Sequence, residues 1–128
     1  MNSPKPVVAV LDDEPELRKA LRRLLTGRGF IVEEYANGND LIAAISSRPT
    51  DCILLDLHMP EVSGFDVLET FQSREVHTPV IVITAHDKPG TVERVRSLGA
   101  CGYLKKPVDR DALLAAINSV IIPSETKP

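Results

Sequence analysis

The chain has 128 residues, 43% of them hydrophobic and 26% charged, with a formal net charge of −3 and a pI of about 5.6. That balance suits one domain with a single core, 1–128 with the folded part about 7–121, and argues against a basic nucleic-acid surface. The two cysteines, Cys52 and Cys101, have no metal-ligand spacing and are too few for a disulfide framework. Met1 to Pro6 lacks the apolar stretch of a signal peptide, and no apolar run is long enough to span a bilayer. A cytoplasmic protein with no membrane partner is therefore expected.

Val7-Val8-Ala9-Val10-Leu11 is a continuous apolar run, the mark of a strand buried on both faces. It ends in Asp12-Asp13-Glu14-Pro15. Leu17, Ala20, Leu21, Leu24 and Leu25 then recur at i, i+3, i+4, i+7 and i+8, one face of a helix. An acidic residue at its start suits the helix dipole, Pro15 suits its first turn, and Gly27 and Gly29 end it. Phe30–Tyr35 is β-branched and aromatic with polar residues entering late, as expected of an edge strand. Asn37-Gly38 predicts a turn, and a short helix with Leu41, Ile42 and Ile45 follows, ending before Pro49.

Cys52-Ile53-Leu54-Leu55-Asp56 is the third strand, with Cys52 as a buried small hydrophobe. Met59-Pro60 breaks it, and a loop with Ser63-Gly64 leads to a helix with Phe65, Val67, Leu68 and Phe71. Pro79–Thr84 is the fourth strand, His86–Gly90 a loop, and Val92, Val95 and Leu98 a helix stopped by Gly99. Gly102–Lys105 is a short fifth strand. Asp109 is placed as the N-cap of a last helix with Leu113, Leu114, Ile117, Val120 and Ile121 on its apolar face. A polar tail, frayed by composition, starts at Pro123. Alternating strands and helices predict an α/β fold, a parallel sheet with helices on both faces.

In a parallel sheet all the strand ends share one edge, where ligands bind. Here that edge collects Asp12 and Asp13, then Asp56, then Thr84, then Lys105 and Lys106 before Pro107. Periodicity does not supply the strand order. If the first and third strands are neighbours, three carboxylates converge. Like charges raise one another's pKa, and a hard cation such as Mg2+, which takes oxygen ligands and keeps several waters, relieves them. A lysine and a hydroxyl nearby suit phosphoryl oxygens, and a carboxylate can itself be the nucleophile. Each residue alone has a plainer reading. Asp56 would serve as a turn residue, Asp12-Asp13-Glu14 as a helix start, Thr84 as a strand end, and the lysines as a solvated pair. Their joint placement at four strand ends favours phosphoryl transfer.

The blocks Val10–Glu14, Leu55–Pro60 with Gly64, Ile83-Thr84-Ala85 and Gly102–Pro107 occur in order over nearly the whole chain. They resemble the receiver domain of bacterial two-component response regulators. That resemblance implies a flavodoxin-like three-layer α/β/α sandwich with a five-stranded parallel sheet of order 2-1-3-4-5 and five helices. It implies Asp56 as the phosphoacceptor. It also implies a Mg2+ site of Asp13, Asp12, Asp56 and the backbone carbonyl of His58. The family's lysine directly precedes the proline, which selects Lys106 over Lys105. Thr84 resembles the switch hydroxyl, Tyr103 the switch aromatic, and Ala85 the small residue that leaves the donor access. His58 and His86 occupy positions that tune acyl-phosphate hydrolysis in the family.

The implied partner is a sensor histidine kinase or a histidine phosphotransfer protein. Homodimerisation through the face of helix 4, strand 5 and helix 5 is a further implied contact. The resemblance implies a domain that catalyses its own phosphorylation and slow dephosphorylation and is not a turnover enzyme. Three rivals have specific weaknesses. A haloacid-dehalogenase-like phosphatase needs Asp-x-Asp on its first strand, where this chain has Asp12-Asp13. A pseudo-receiver would not need the full acidic set. A flavodoxin-like nucleotide binder needs a glycine-rich loop after the first strand, and none follows.

Overall fold

The computed structural model describes residues 5–121. Strands β1 (Val7–Leu11), β2 (Ile31–Tyr35), β3 (Cys52–Asp56), β4 (Val80–Thr84) and β5 (Gly102–Lys105) alternate with five helices. These are α1 (Pro15–Thr26), α2 (Gly38–Ile45), α3 (Gly64–Ser73), α4 (Thr91–Ser97) and α5 (Arg110–Val120). The strands form one parallel sheet in the order β2-β1-β3-β4-β5. The fold is thus the flavodoxin-like sandwich that the resemblance implies, and β2 is an edge strand as its composition suggests. The polar tail from Pro123 and the first residues up to Pro4 lie outside the described residues. Among the described residues no helix is long and apolar enough to cross a membrane.

Residue parity along the inner strands builds two cores. Val8, Val10, Cys52, Leu54, Ile81 and Ile83 point to one face and pack against Leu21 and Leu25 of α1 and Leu113 and Ile117 of α5. Ala9, Leu11, Ile53, Leu55 and Val82 point to the other, against Leu41 of α2, Val67, Leu68 and Phe71 of α3, and Val95 of α4. This is why β3 and β4 are apolar up to their last residues, Asp56 and Thr84: successive side chains face opposite layers, and both layers are covered. Cys52 is fully buried, and burial pushes its thiol up to about 12, so it behaves as a small apolar residue.

The turn expected at Asn37-Gly38 and the loop expected at Ser63-Gly64 prove to be helix starts. Asn37 caps α2, its side chain accepting from the Asp40 N–H at 3.0 Å, and Gly38 is the first helical residue. Ser63 caps α3 in a reciprocal box with Asp66, and Gly64 opens that helix. Asn and Ser favour caps and turns for the same reason, a short side chain that bonds a nearby backbone N–H. Tertiary packing decides between them. A Cβ on Gly38 would lie 2.8 Å from Val62 Cγ1 and 2.9 Å from Val67 Cγ2. One on Gly64 would lie 2.5 Å from the Asp56 carbonyl oxygen and 2.7 Å from Leu57 Cα. The start of α3 is therefore pressed onto the end of β3, and the Gly64 N–H bonds the Leu57 carbonyl at 2.9 Å.

Since the atoms facing Gly64 are backbone, relief requires the whole helix start to move. Gly64→Ala should destabilise the fold by about 1–3 kcal/mol, read as a lower urea midpoint at unchanged m-value. An unchanged midpoint would show that α3 does not rest on the end of β3.

Candidate functional site

The order of the sheet makes β1 and β3 neighbours, with Leu11 paired to Leu55. Asp12 and Asp13 leave the sheet beside Asp56, and carboxylate oxygens of the three lie within 4.8 Å of one another. Asp12 is 2% exposed and Asp56 4% exposed, whereas Asp13 faces solvent. Each buried carboxylate has local partners. Asp12 Oδ1 accepts from the Glu14 N–H at 2.9 Å, which seats the first turn of α1. Glu14 is the capping residue but makes no side-chain cap of its own. Asp56 Oδ1 accepts from the His58 N–H at 3.4 Å. Among the residues facing Asp12, Arg18 of α1 donates to its carbonyl oxygen at 2.6 Å.

Lys106 supplies the positive charge. Its Nζ lies 2.9 Å from Asp12 Oδ2, 2.7 Å from Glu14 Oε1 and 3.7 Å from Asp56 Oδ2. Its N–H bonds the Thr84 carbonyl at 2.8 Å, so the end of β4 holds it in place. The Lys106–Pro107 peptide is cis. Lys105 turns the other way, to Asp87 Oδ2 at 3.4 Å. The adjacent lysines thus have different tasks. Burial acts to lower the Lys106 pKa, but the hydrogen bonds to Glu14 and Asp12 and the nearby carboxylates outweigh it and hold the group protonated.

One ammonium does not neutralise this cluster. Burial, then the Asp12 carboxylate, raise the pKa of Asp56 from 3.8 to about 6, against the opposing pull of Lys106 and the His58 N–H. Clustered hard oxygen donors that repel one another suit a divalent cation of the Mg2+ type. Asp12, Asp13 and Asp56 are the residues able to hold it.

Thr84 is fully buried, and its Oγ1 accepts from the His86 N–H at 3.0 Å. Ala85 is exposed, on a groove it shares with Glu14, Leu17, Lys106 and Pro107. His58 and His86 are both exposed, with ring centroids 4.5 Å apart. Burial first, then His86, Lys88 and Lys106, hold the His58 pKa below its ordinary value. Tyr103 sits apart from the carboxylates. Its hydroxyl donates to Asp87 Oδ1 at 2.8 Å. Burial and that hydrogen bond push its pKa up to about 12, while the same bond holds Asp87 low.

Sequence reasoning missed two residues. Glu14 was read only as a helix start, and its contact with Lys106 spans 92 positions. Its place at the same sheet edge as a lysine was the available signal. Asp87 was read only as loop, and nothing in the sequence marks it as the partner of Tyr103 and Lys105.

The family model for the response regulator receiver domain matches residues 8–118. The chain belongs to that family. The receiver is 35% identical over 115 residues to the DNA-binding transcriptional regulator NtrC of Salmonella typhimurium, covering 90% of this chain and 24% of that protein. It is 35% identical over 113 residues to the transcriptional regulatory protein FixJ of Azorhizobium caulinodans, covering 88% and 53%. The chain thus spans a quarter to a half of the length of these relatives. Among solved structures it superposes on the Vibrio cholerae chemotaxis protein CheY4 with a TM-score of 0.83 at 28% identity, covering 91% of this chain and 98% of that one. A receiver is a regulatory domain and not a turnover enzyme, which sets aside the phosphatase reading.

The raised pKa of Asp56 has a signed consequence. Its folded-state value of about 6 lies above the unfolded value near 3.8. The folded state therefore holds the proton more tightly, and ionisation weakens the fold as pH rises from about 4 to about 6. In metal-free buffer Asp56→Asn should be more stable than the parent at pH 7, by up to about 3 kcal/mol. The gain should shrink toward zero below about pH 4. Denaturant titrations at pH 4, 5, 6 and 7 read this difference directly. A gain that did not vary with pH would mean that Asp56 is not destabilised by its charge.

Proposed function

We propose that this receiver accepts a phosphoryl group on Asp56 from a phosphohistidine donor and uses Thr84 and Tyr103 to report the event to a partner. The observation that carries this reading is the placement of Asp56. Its carboxylate is buried at the end of the central strand, within reach of one ammonium group and beside two further carboxylates. A carboxylate oxygen of Asp56 attacks phosphorus as the N–P bond to the donor imidazole breaks, and the imidazole leaves and takes up a proton from solvent. Lys106 faces the developing charge on the phosphoryl oxygens. A Mg2+ ion held by Asp12, Asp13, Asp56 and the His58 carbonyl would neutralise those oxygens further. Ala85 leaves the approach open. The donor is a sensor histidine kinase or a histidine phosphotransfer protein.

The coupling follows from two hydrogen bonds in one loop. The Thr84 hydroxyl is occupied by the His86 N–H, and Asp87 is occupied by Tyr103. A phosphoryl group on Asp56 competes for the Thr84 hydroxyl. As Thr84 turns, the loop shifts, Tyr103 leaves Asp87 and moves inward, and the face of α4, β5 and α5 changes shape. This is a population shift between two arrangements, biased by new local charge. A partner domain or a second copy of the chain reads that face. His58 and His86, each two residues past Asp56 and Thr84, tune how readily water attacks the acyl phosphate.

Incubation with Mg2+ and a small acyl phosphate should add one phosphoryl group to the intact mass of the parent and of Thr84→Ala, and none to Asp56→Asn. No gain in the parent, repeated with a beryllium-fluoride mimic to exclude rapid hydrolysis, would favour a phosphorylation-independent binding module. Asp87→Ala should release Tyr103 without phosphate. The amide resonances of the β4–α4 loop should then move partway toward their beryllofluoride-bound positions. Resonances that stay at the parent's unphosphorylated positions would rule out Asp87 as the restraint.

A further inference from the structure

Two imidazoles meet between the loops that leave β3 and β4. His58 follows the end of β3 by two positions and His86 follows the end of β4 by two. Their ring planes meet at 71° with centroids 4.5 Å apart. Both loops are held close to the rings. The His58 N–H bonds Asp56 Oδ1 and the His86 N–H bonds Thr84 Oγ1. Phe65 lies edge-on behind His58 at 6.3 Å, and Arg94 stacks over Phe65 at 3.9 Å, which backs the pair from α3 and α4. The two rings come from different loops, yet they meet in open solvent where a small ion has access.

Donor chemistry separates this pair from the crevice beside it. Carboxylate oxygens suit Mg2+, whereas imidazole nitrogens suit zinc, copper and nickel. Two nitrogens on one tetrahedral zinc, each at about 2.0–2.1 Å, stand about 3.3 Å apart. Rings with centroids 4.5 Å apart reach that span by side-chain rotation. We propose that His58 and His86 form a two-imidazole site for a divalent transition-metal ion, with water completing the coordination. An ion there ties the β3–α3 loop to the β4–α4 loop. It holds the His86 segment in place, so the Thr84 hydroxyl stays occupied by the His86 N–H. A bound ion would therefore slow phosphorylation. That consequence rests on the phosphoryl chemistry proposed above, while the binding itself does not.

The test titrates zinc chloride into the chain in excess Mg2+, in a Cys101→Ser background that removes the exposed thiol. Calorimetry and the imidazole proton resonances are read together. One equivalent should bind, with the His58 and His86 signals shifting together and the His77 signal unmoved. His58→Gln and His86→Gln should each weaken binding at least about tenfold. Binding that neither substitution weakens, a shift of His77 alone, or no heat would overturn the site. In the second arm, labelling by a small acyl phosphate should slow with zinc in the parent and be insensitive to zinc in His58→Gln. Zinc bound at the pair with an unchanged labelling rate would remove the regulatory consequence. Absence of labelling without zinc would count against the phosphoryl reading alone.

Discussion

Asp12 and Asp56 bring two carboxylates to near-complete burial at adjacent strand ends, and the ammonium of Lys106 stands within reach of both. Burying like charges together is costly unless they are paired or neutralised. Much of the surrounding structure serves that constraint. The Asp12 carboxylate is shared between Lys106 and the first turn of α1. Lys106 is anchored through its backbone to the end of β4 and through its side chain to Glu14. The carboxylates thus couple the exits of β1, β3 and β5, three strands otherwise joined only through the sheet. The residual negative charge leaves hard oxygen donors that repel one another, a donor set suited to a divalent cation of the Mg2+ type.

The same edge carries the loops that lead to α3 and α4. The exits of β3 and β4 lead into loops whose backbone is held by the last side chain of the strand, Asp56 to His58 and Thr84 to His86. Such bonds are exposed to competition, because the groups that hold the loops are also the groups that would meet a ligand. Asp87 then ties the β4–α4 loop to β5 by accepting from Tyr103 and pairing with Lys105. Polar contacts thus run from Thr84 to His86 and from Asp87 to Tyr103 and Lys105 along the exits of β4 and β5. The two apolar layers hold the strands from both faces of the sheet.

The fold was largely legible because its inner strands are buried on both faces. A run such as Cys52–Leu55 or Val80–Ile83 has no polar alternation to confuse it. Strand order was not legible from periodicity, since the two parity sets fit several arrangements equally well. It came from the resemblance, and the pairing of β1 with β3 agrees with it. Asn37-Gly38 reads as a turn and Ser63-Gly64 as loop because caps, turns and loops use the same local chemistry. Contacts to Val62, Val67 and the Asp56 carbonyl, all remote in the pattern, made them helix starts. The acidic residues and Lys106 could be found because strand ends have a known place in a parallel sheet. Glu14 and Asp87 could not, since their roles depend on where Lys106 and Tyr103 reach.

The most direct measurement of the central claim is the position of the acyl phosphate. The chain is phosphorylated by a phosphohistidine protein, reduced at once with borohydride, and mapped by peptide mass spectrometry. Reduction converts an aspartyl phosphate to homoserine, so the expected result is homoserine at position 56 and intact aspartate at positions 12 and 13. Homoserine at position 12 or 13, or phosphate carried on His58 or His86 with Asp56 unmodified, would contradict the assignment of Asp56 as the acceptor.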